Sequence, residues 1–453
     1  MRFLRPNKSN ECGVTILIVG LTLLALVAMA ALAIDVASLY QAQAEAQRAA
    51  DAAALAGANI FATSGFTSYP GNFTAGTICH DGAAQTAAVN KQAEAAAHEN
   101  LISGQPATIK SVTCILGNVH NPRVQITVVS STLPTFFARI WGPNANTVTA
   151  TATAEAYNPS GGATPVDVRG VKPWLVPNCD PTHPTPANPN CTSGAYFINP
   201  ATGQIANGGS FVGKEFCFSR IGRSGPSPLD PSPLTDPDCP NGVLRFYSMN
   251  LPFDSTLSEC PSTDNPSCGS VGSDTFVDNV ACASSFVFRC NQTIGPPGAI
   301  VSVDLPFSYG VGTRAGGKCL IHATGFELGQ GQDVFTPGGS DGLPLSIEGG
   351  DNNPNSTLHT TNISRSDSIV TVPLYDGTDL CPGGIVRGTC PGGATALPAG
   401  FMQLAITRIM DFPTDKHFEA IVTNVTGCPP SPSGTPLQAG VASPIAVRLV
   451  QNP

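Results

Sequence analysis

The chain has 453 residues, a formal net charge of −9 and only 12% charged residues, with 41 Pro and 47 Gly. The acidic balance excludes nucleic acid as a partner, because that needs clustered basic charge. The Pro and Gly content excludes a mostly helical protein, and so little charge excludes a long disordered tail.

The first predicted element is also the most informative. From Val14 to Ile34 run 21 residues without charge, and Thr15 and Thr22 are the only polar side chains. At ~1.5 Å per residue such a helix spans roughly 30 Å, the thickness of a bilayer's hydrocarbon core. No Pro or Gly follows Gly20 until Gly57, so the helix is expected to leave the lipid and continue as a stalk. The leader 1–13 carries Arg2, Arg5, Lys8 and Glu11, a net +2, whereas Asp35, Glu45 and only Arg48 follow the apolar run. The positive-inside rule then keeps the N-terminus in the cytoplasm and exports residues beyond about 35, in a single pass. A cleaved signal peptide is the rival, with Ala31-Leu32-Ala33 as a small-residue cleavage site. The apolar run exceeds the ~7–15 residues of such signals, so a retained anchor is expected.

Along the stalk, Val36, Leu39, Gln43, Ala46, Ala50, Ala53 and Gly57 recur at three- and four-residue steps. Such spacing shares one helix face, and small side chains permit close approach. The face would meet either a partner helix or, the preferred reading, this chain's own next helix.

These residues carry a resemblance. The basic leader, Gly13, Ala33-Ile34-Asp35-Val36, Leu39-Tyr40 and the block Gln47-Arg48-Ala49-Ala50-Asp51-Ala52-Ala53-Ala54-Leu55-Ala56-Gly57-Ala58 resemble the N-terminal module of TadG-like proteins of Flp (tight-adherence, Tad) pilus assembly. The resemblance covers about residues 8–58 and extends more loosely to 157, through Pro134–Gly142 and the strand after it. Ile18 stands five residues after Gly13 where prepilins have Glu, so the prepilin cleavage pattern is absent. The resemblance implies a bacterial inner-membrane protein with a periplasmic domain, and as partners the lipid bilayer and other pilus-assembly or pseudopilin-like proteins.

Of 15 cysteines, only Cys12 lies on the cytoplasmic side. The remaining 14 are exported, an even number that an oxidising compartment turns into disulfides. Closeness in sequence nominates Cys179/Cys191, Cys260/Cys268, Cys282/Cys290 and Cys381/Cys390, and a shared place in the first exported domain nominates Cys79/Cys114. No pair has the C-x2-C spacing of zinc sites, so no metal is expected.

An Ala-rich segment over 82–102 predicts a helix burying Val89, Ala93, Ala96, Ala97 and Leu101. Thr108–Leu116 and Val124–Ser131 predict strands around an Asn118–Pro122 turn, and Leu133–Trp141 a short helix. Thr147–Tyr157 alternates strictly, predicting a strand with one buried and one wet side. From Asn158 onward Pro and Gly punctuate short strand-like runs, among them Leu244–Tyr247, Ile369–Leu374, Met402–Ile409, His417–Val422 and Ile445–Val450.

The predicted fold class is α+β: a transmembrane helix (14–34) behind a cytoplasmic leader (1–13), continuing into a stalk within a small TadG-like α+β domain (35–157). A Pro/Gly-rich connector (158–190) then leads to a Cys-rich, mainly-β exported domain (191–453), single or double. Motifs for chemistry are near-misses. Gly312–Cys319 almost spells a phosphate loop but lacks the Ser/Thr, and reads as a Gly-rich turn. Gly338–Gly342 has prolines where a nucleophile elbow needs strand and helix. Asp351, Asn353 and Asn355 alternate like a calcium loop without its Gly and Glu. No catalytic residue, cofactor or small-molecule substrate is nominated, and a structural role in pilus assembly is expected instead of an enzyme. The alternative is a membrane-anchored adhesin or envelope protein sharing only the anchor module.

Overall fold

The computed structural model describes residues 12–73, 76–82, 86–133, 146–183, 195–220, 239–255, 260, 268, 271–272, 274–295, 299–303, 309–325, 329–337, 345–376, 380, 395–410, 417–441 and 443–451. The expected helix 133–141, Cys191, Cys381, Cys390 and the elbow-like 338–342 fall wholly or largely outside them.

An apolar, Ala-rich run without Pro favours one unbroken helix, and α1 spans Cys12–Thr63. Helix α2 is Ala88–Glu99, followed by a minimal ribbon of β1 (Leu101–Ile102) and β2 (Gln105–Pro106). Then come β3 (Thr108–Ile115), β4 (Arg123–Leu133) and β5 (Asn146–Tyr157). Leu101 lies outside α2 and is exposed, because the ribbon carries it away from the helix's buried face of Val89, Ala93 and Ala97.

Strands β3, β4 and β5 form an antiparallel sheet whose fourth strand comes from the far end of the sequence. This is β17 (Ala446–Val450), which pairs antiparallel with β5. The small domain is thus closed by both ends of the described chain, and most of the sequence is an insertion between β5 and β17. Cross-strand charge fixes that closure. Glu155 on β5 is 1% exposed and accepts from Arg123 on β4 (3.0 Å) and Arg448 on β17 (2.7 Å). The expected wet face of β5 therefore holds for Thr149 and Thr151 but is buried at Thr153, Glu155 and Tyr157.

The insertion contributes β6 (Val166–Arg169), β7 (Trp174–Pro177), β8 (Glu215–Arg220), β9 (Val243–Asn250), α3 (Thr275–Ala281), β10 (Ser302–Val303) and α4 (Tyr309–Leu320). It continues through a hairpin of β11 (Val334–Pro337) and β12 (Leu345–Glu348), then β13 (Ile369–Tyr375), β14 (Pro398–Ile409), β15 (His417–Gly427) and β16 (Leu437–Val441). Strands run β9-β7-β13-β14-β15-β8, and β8 pairs back onto β9, closing a barrel. Alternate residues fill a barrel interior. Here Trp174, Val176, Phe216, Phe218, Leu244, Phe246, Val370, Val372, Leu374, Met402, Leu404, Ile406 and Phe418 supply the core, every one at an even position. Phe418 sits at its centre, 4.5 Å from Trp174 and 4.9 Å from a stacked Phe218 between ring centroids.

Three expectations change in this region. The sequence nominates no helix within the mainly-β insertion, yet α3 and α4 lie there, and their Phe276, Val280 and Leu320 enter the barrel core. The Gly-rich 312–319 stretch is the body of α4, not a turn, although glycine disfavours helix by about 1 kcal/mol each. Packing overrides propensity: a Cβ on Gly316 would lie 2.7 Å from the Val277 carbonyl oxygen, and one on Gly312 3.0 Å from the Phe276 ring.

The disulfides are the third change. Cys79 is joined to Cys114. Cys260 is joined to Cys282 and Cys268 to Cys319, while Cys290 reaches Cys428 across 138 residues. The nominated pairs Cys260/Cys268 and Cys282/Cys290 are therefore wrong. Cys282 packs with Cys268 and Cys319 beneath the two short helices, whereas Cys290 lies in a separate core with Tyr157 and Phe288. Eight residues of sequence separate two layers of the fold. Cys217–Cys239 is a further bond outside the nominated pairs, and Cys179 is disulfide-bonded.

Candidate functional site: an anchor helix and its seat

Helix α1 has two halves with opposite habits. In the first, large apolar side chains stand free all round the helix, with Ile16 74%, Leu24 69% and Leu32 59% exposed. A surface of this kind is a liability in water and an asset in lipid. By length and composition this half is a candidate membrane span, and each central Leu, Ile or Val favours the bilayer by ~0.3–0.6 kcal/mol.

The second half is seated on the chain's own β3–β4–β5–β17 sheet, with α2 alongside. Of the nominated seam, Ala46, Ala50, Ala53 and Gly57 are buried and Leu39 partly so. Val36 and Gln43 are exposed, Gln43 donating its side-chain N–H to the Thr149 carbonyl at 3.0 Å. The buried arc is wider than the seam and adds Ala42, Ala49, Ala54 and Ala58, because sheet and helix approach α1 from two sides. Gly57 marks a close approach. A Cβ there would meet Val89 at 3.2 Å and Val124 at 3.3 Å. On the outer face, Glu45 accepts the Ser103 backbone N–H at 2.7 Å, and that bond, with help from Gln41, holds its carboxyl below the usual range.

The helix ends in a turn that ties the stalk to the barrel. Gly65 has φ +83°, and a Cβ on it would lie 2.6 Å from the Thr423 carbonyl of β15. Ser68 Oγ donates to the Val425 carbonyl at 2.8 Å and accepts the Val425 N–H at 3.0 Å. Asn424 Nδ2 donates to the Ala62 carbonyl at 2.7 Å, and Asn158 Nδ2 to the Val425 carbonyl at 3.0 Å. These polar side chains are buried and bonded to backbone, so the anchor helix and barrel share a rigid joint.

Elsewhere the fold pairs titratable groups. His183 contacts Asp180 at 2.6 Å, His322 contacts Asp367 at 2.9 Å, and His417 contacts Glu419 at 3.1 Å. The His322 hydrogen bond holds the Asp367 carboxyl below its ordinary range. Lys172 is fully buried, donates to the Cys282 carbonyl at 2.7 Å, and burial pushes its ammonium down to about 7. Cys217, Cys239 and His417 cluster as metal ligands would, but the sulfurs are bonded to each other and neither is a thiolate. A cleft of about 470 Å³ is lined by Asp167, Arg289 and Gln438, and the Asp167 carboxylate is already bonded by both neighbours. The alternation of Asn353 and Asn355 serves successive turns, each Oδ1 accepting the N–H two residues on at 3.1 Å.

With this geometry in place, the comparison with known families is decisive for one segment. Residues 13–59 match the Tad family model. Its description is "Putative Flp pilus-assembly TadE/G-like", and the match covers the apolar half of α1 and nearly all of the seated half. The TadG-like resemblance of the N-terminal module is thereby shown. No curated protein and no solved structure matches the chain.

Proposed function

We propose that this protein is a single-pass inner-membrane component of Flp pilus assembly, with its N-terminus in the cytoplasm and its disulfide-rich domains in the periplasm. The observation that carries the reading is the division of α1. The Tad match spans both halves, and the half whose large apolar side chains are exposed is the one long and apolar enough to span lipid. Its role is positional: the membrane helix sets location, the buried joint at Gly65 and Asn424 sets orientation, and the barrel presents loops to other assembly proteins. The basic leader and the exported cysteines support the orientation.

Deleting the protein and imaging pili tests the role, since normal pili would remove it. Alkylation of intact cells tests the topology: Cys12 should stay shielded from a membrane-impermeant thiol reagent. A second reading, an anchored adhesin or envelope protein, is favoured by the family match stopping at residue 59 of a 453-residue chain. Normal pili together with lost surface attachment would select it.

A further inference from the structure

The loop after β7 and the turn before β8 bring together three side chains that neither the anchor nor the joint uses. Asp180 is completely buried and its carboxylate accepts three hydrogen bonds, from Thr182 N (2.9 Å), Thr182 Oγ1 (2.7 Å) and His183 Nδ1 (2.6 Å). The opposite ring nitrogen, His183 Nε2, lies 3.2 Å from Ser210 Oγ. With Nδ1–H donated to Asp180, Nε2 is the lone-pair nitrogen and the Ser210 hydroxyl donates to it. Among the described residues, Ser210 Oγ and His183 Nε2 have no other hydrogen-bond partner.

The supports of these groups are rigid. Asp180 N donates to the Ala195 carbonyl at 2.6 Å, and Ala195 N returns to the His183 carbonyl at 2.7 Å, clamping the short Asp180–His183 loop. Ser210 follows three consecutive residues in left-handed backbone conformation, Asn207 (φ 52°), Gly208 (φ 62°) and Gly209 (φ 78°). Gly209 admits no side chain, because a Cβ would collide with the Ser68 carbonyl oxygen. Ser210 is thus presented on a tight turn braced against the segment that follows α1. The acid is buried, the imidazole is 32% exposed, and the serine is half-buried. This is the order of access that a nucleophile approached from solvent requires.

We infer that Asp180, His183 and Ser210 form a nucleophilic centre for acyl transfer from carboxylic esters, beyond the anchoring role. Ser210 Oγ attacks the ester carbonyl carbon while His183 Nε2 takes the hydroxyl proton. The bond to the alcohol oxygen breaks, and that oxygen takes the proton from His183. Water, deprotonated by the same nitrogen, then attacks the acyl-serine, releasing the carboxylic acid and restoring Ser210. Asp180 fixes the ring's orientation and stabilises the imidazolium that forms between these transfers. An ester is the fitting class because an alcohol oxygen leaves more readily than an amide nitrogen.

The test uses the full-length chain in detergent, a biotinylated fluorophosphonate probe, and peptide mass mapping. The expected result is one phosphonate adduct, on Ser210, with fluoride released. It should vanish in Ser210→Ala and form at least about 100-fold more slowly in His183→Gln. Asp180→Asn should slow it as well, but Asp180 is buried and its loss can disturb folding, so the partly exposed His183 is the deciding position. Each variant is compared only where its melting temperature stays within error of the parent. Hydrolysis of p-nitrophenyl acetate should follow the same order. A folded parent that takes no label overturns the proposal, as does labelling of another serine. Labelling of Ser210 at an unchanged rate in His183→Gln also overturns it.

Discussion

The two halves of α1 are built from similar apolar alphabets yet invert the usual relation between size and burial. Between Val14 and Ile34 the large residues are exposed, whereas between Ala42 and Phe61 the buried residues are mostly alanines. In water the first half would be a liability, since its large apolar side chains stand exposed with no core to join. The second half buries small residues because backbone proximity to a sheet, as at Gly57, leaves no room for larger ones. One helix therefore changes rule near Asp35, from exposed bulk in the candidate membrane span to buried smallness on the sheet.

That comparison can be broken most directly in the first half. Leu23→Arg with Leu26→Arg should disfavour insertion by about 5–7 kcal/mol at roughly 2.5–3.5 kcal/mol per central charge. The protein should move from carbonate-resistant membranes to the soluble fraction while the melting of its folded domains stays unchanged. Retention in membranes would mean that the seated half, not the apolar half, binds lipid.

In the folded part, removing the Cys290–Cys428 bond by paired serines should lower stability by about 4–5 kcal/mol in the chain-entropy account of a loop this long. Chemical denaturation would measure it, and the membrane attachment should not respond. At the joint, Gly65→Ala forces a left-handed residue and a collision with Thr423, so a loss of about 2–3 kcal/mol is expected in the same assay.

Lys172 sharpens the comparison through pH. Burial holds its folded-state value near 7, below the ordinary lysine value of about 10.4, so the unfolded chain binds the extra proton. The sign follows: its penalty is fully present below pH 7 and is relieved as pH rises toward 10. Stability should climb by at most about 1.4 kcal/mol per pH unit there, and Lys172→Met should flatten that slope in pH-dependent melting. The smallest effect belongs to Glu155→Gln. Its arginine partners are partly exposed and can be resolvated, so a loss of about 1–2 kcal/mol is expected by denaturation.

Local pattern alone determined a good part of this protein. The apolar length of Val14–Ile34, the small-residue seam after it, the alternation in Thr147–Tyr157 and the β-branched runs that became β13, β14 and β15 are all written in neighbouring residues. Their physics is short-ranged: helix rise, pleat period and transfer into lipid. The tertiary structure decided everything that depends on who meets whom. It sent Ala446–Val450 back to the first sheet, where buried Glu155 needed a second arginine. It made a helix of Gly312–Cys319, because α3 leaves space only for glycines, and it paired cysteines by core layer. It also placed Ser210 beside His183, 27 residues away in sequence. The local Asp180-x-x-His183 spacing was a visible signal for that pair, but its serine was not, since a turn of left-handed residues braced on Ser68 exists only once the chain has folded.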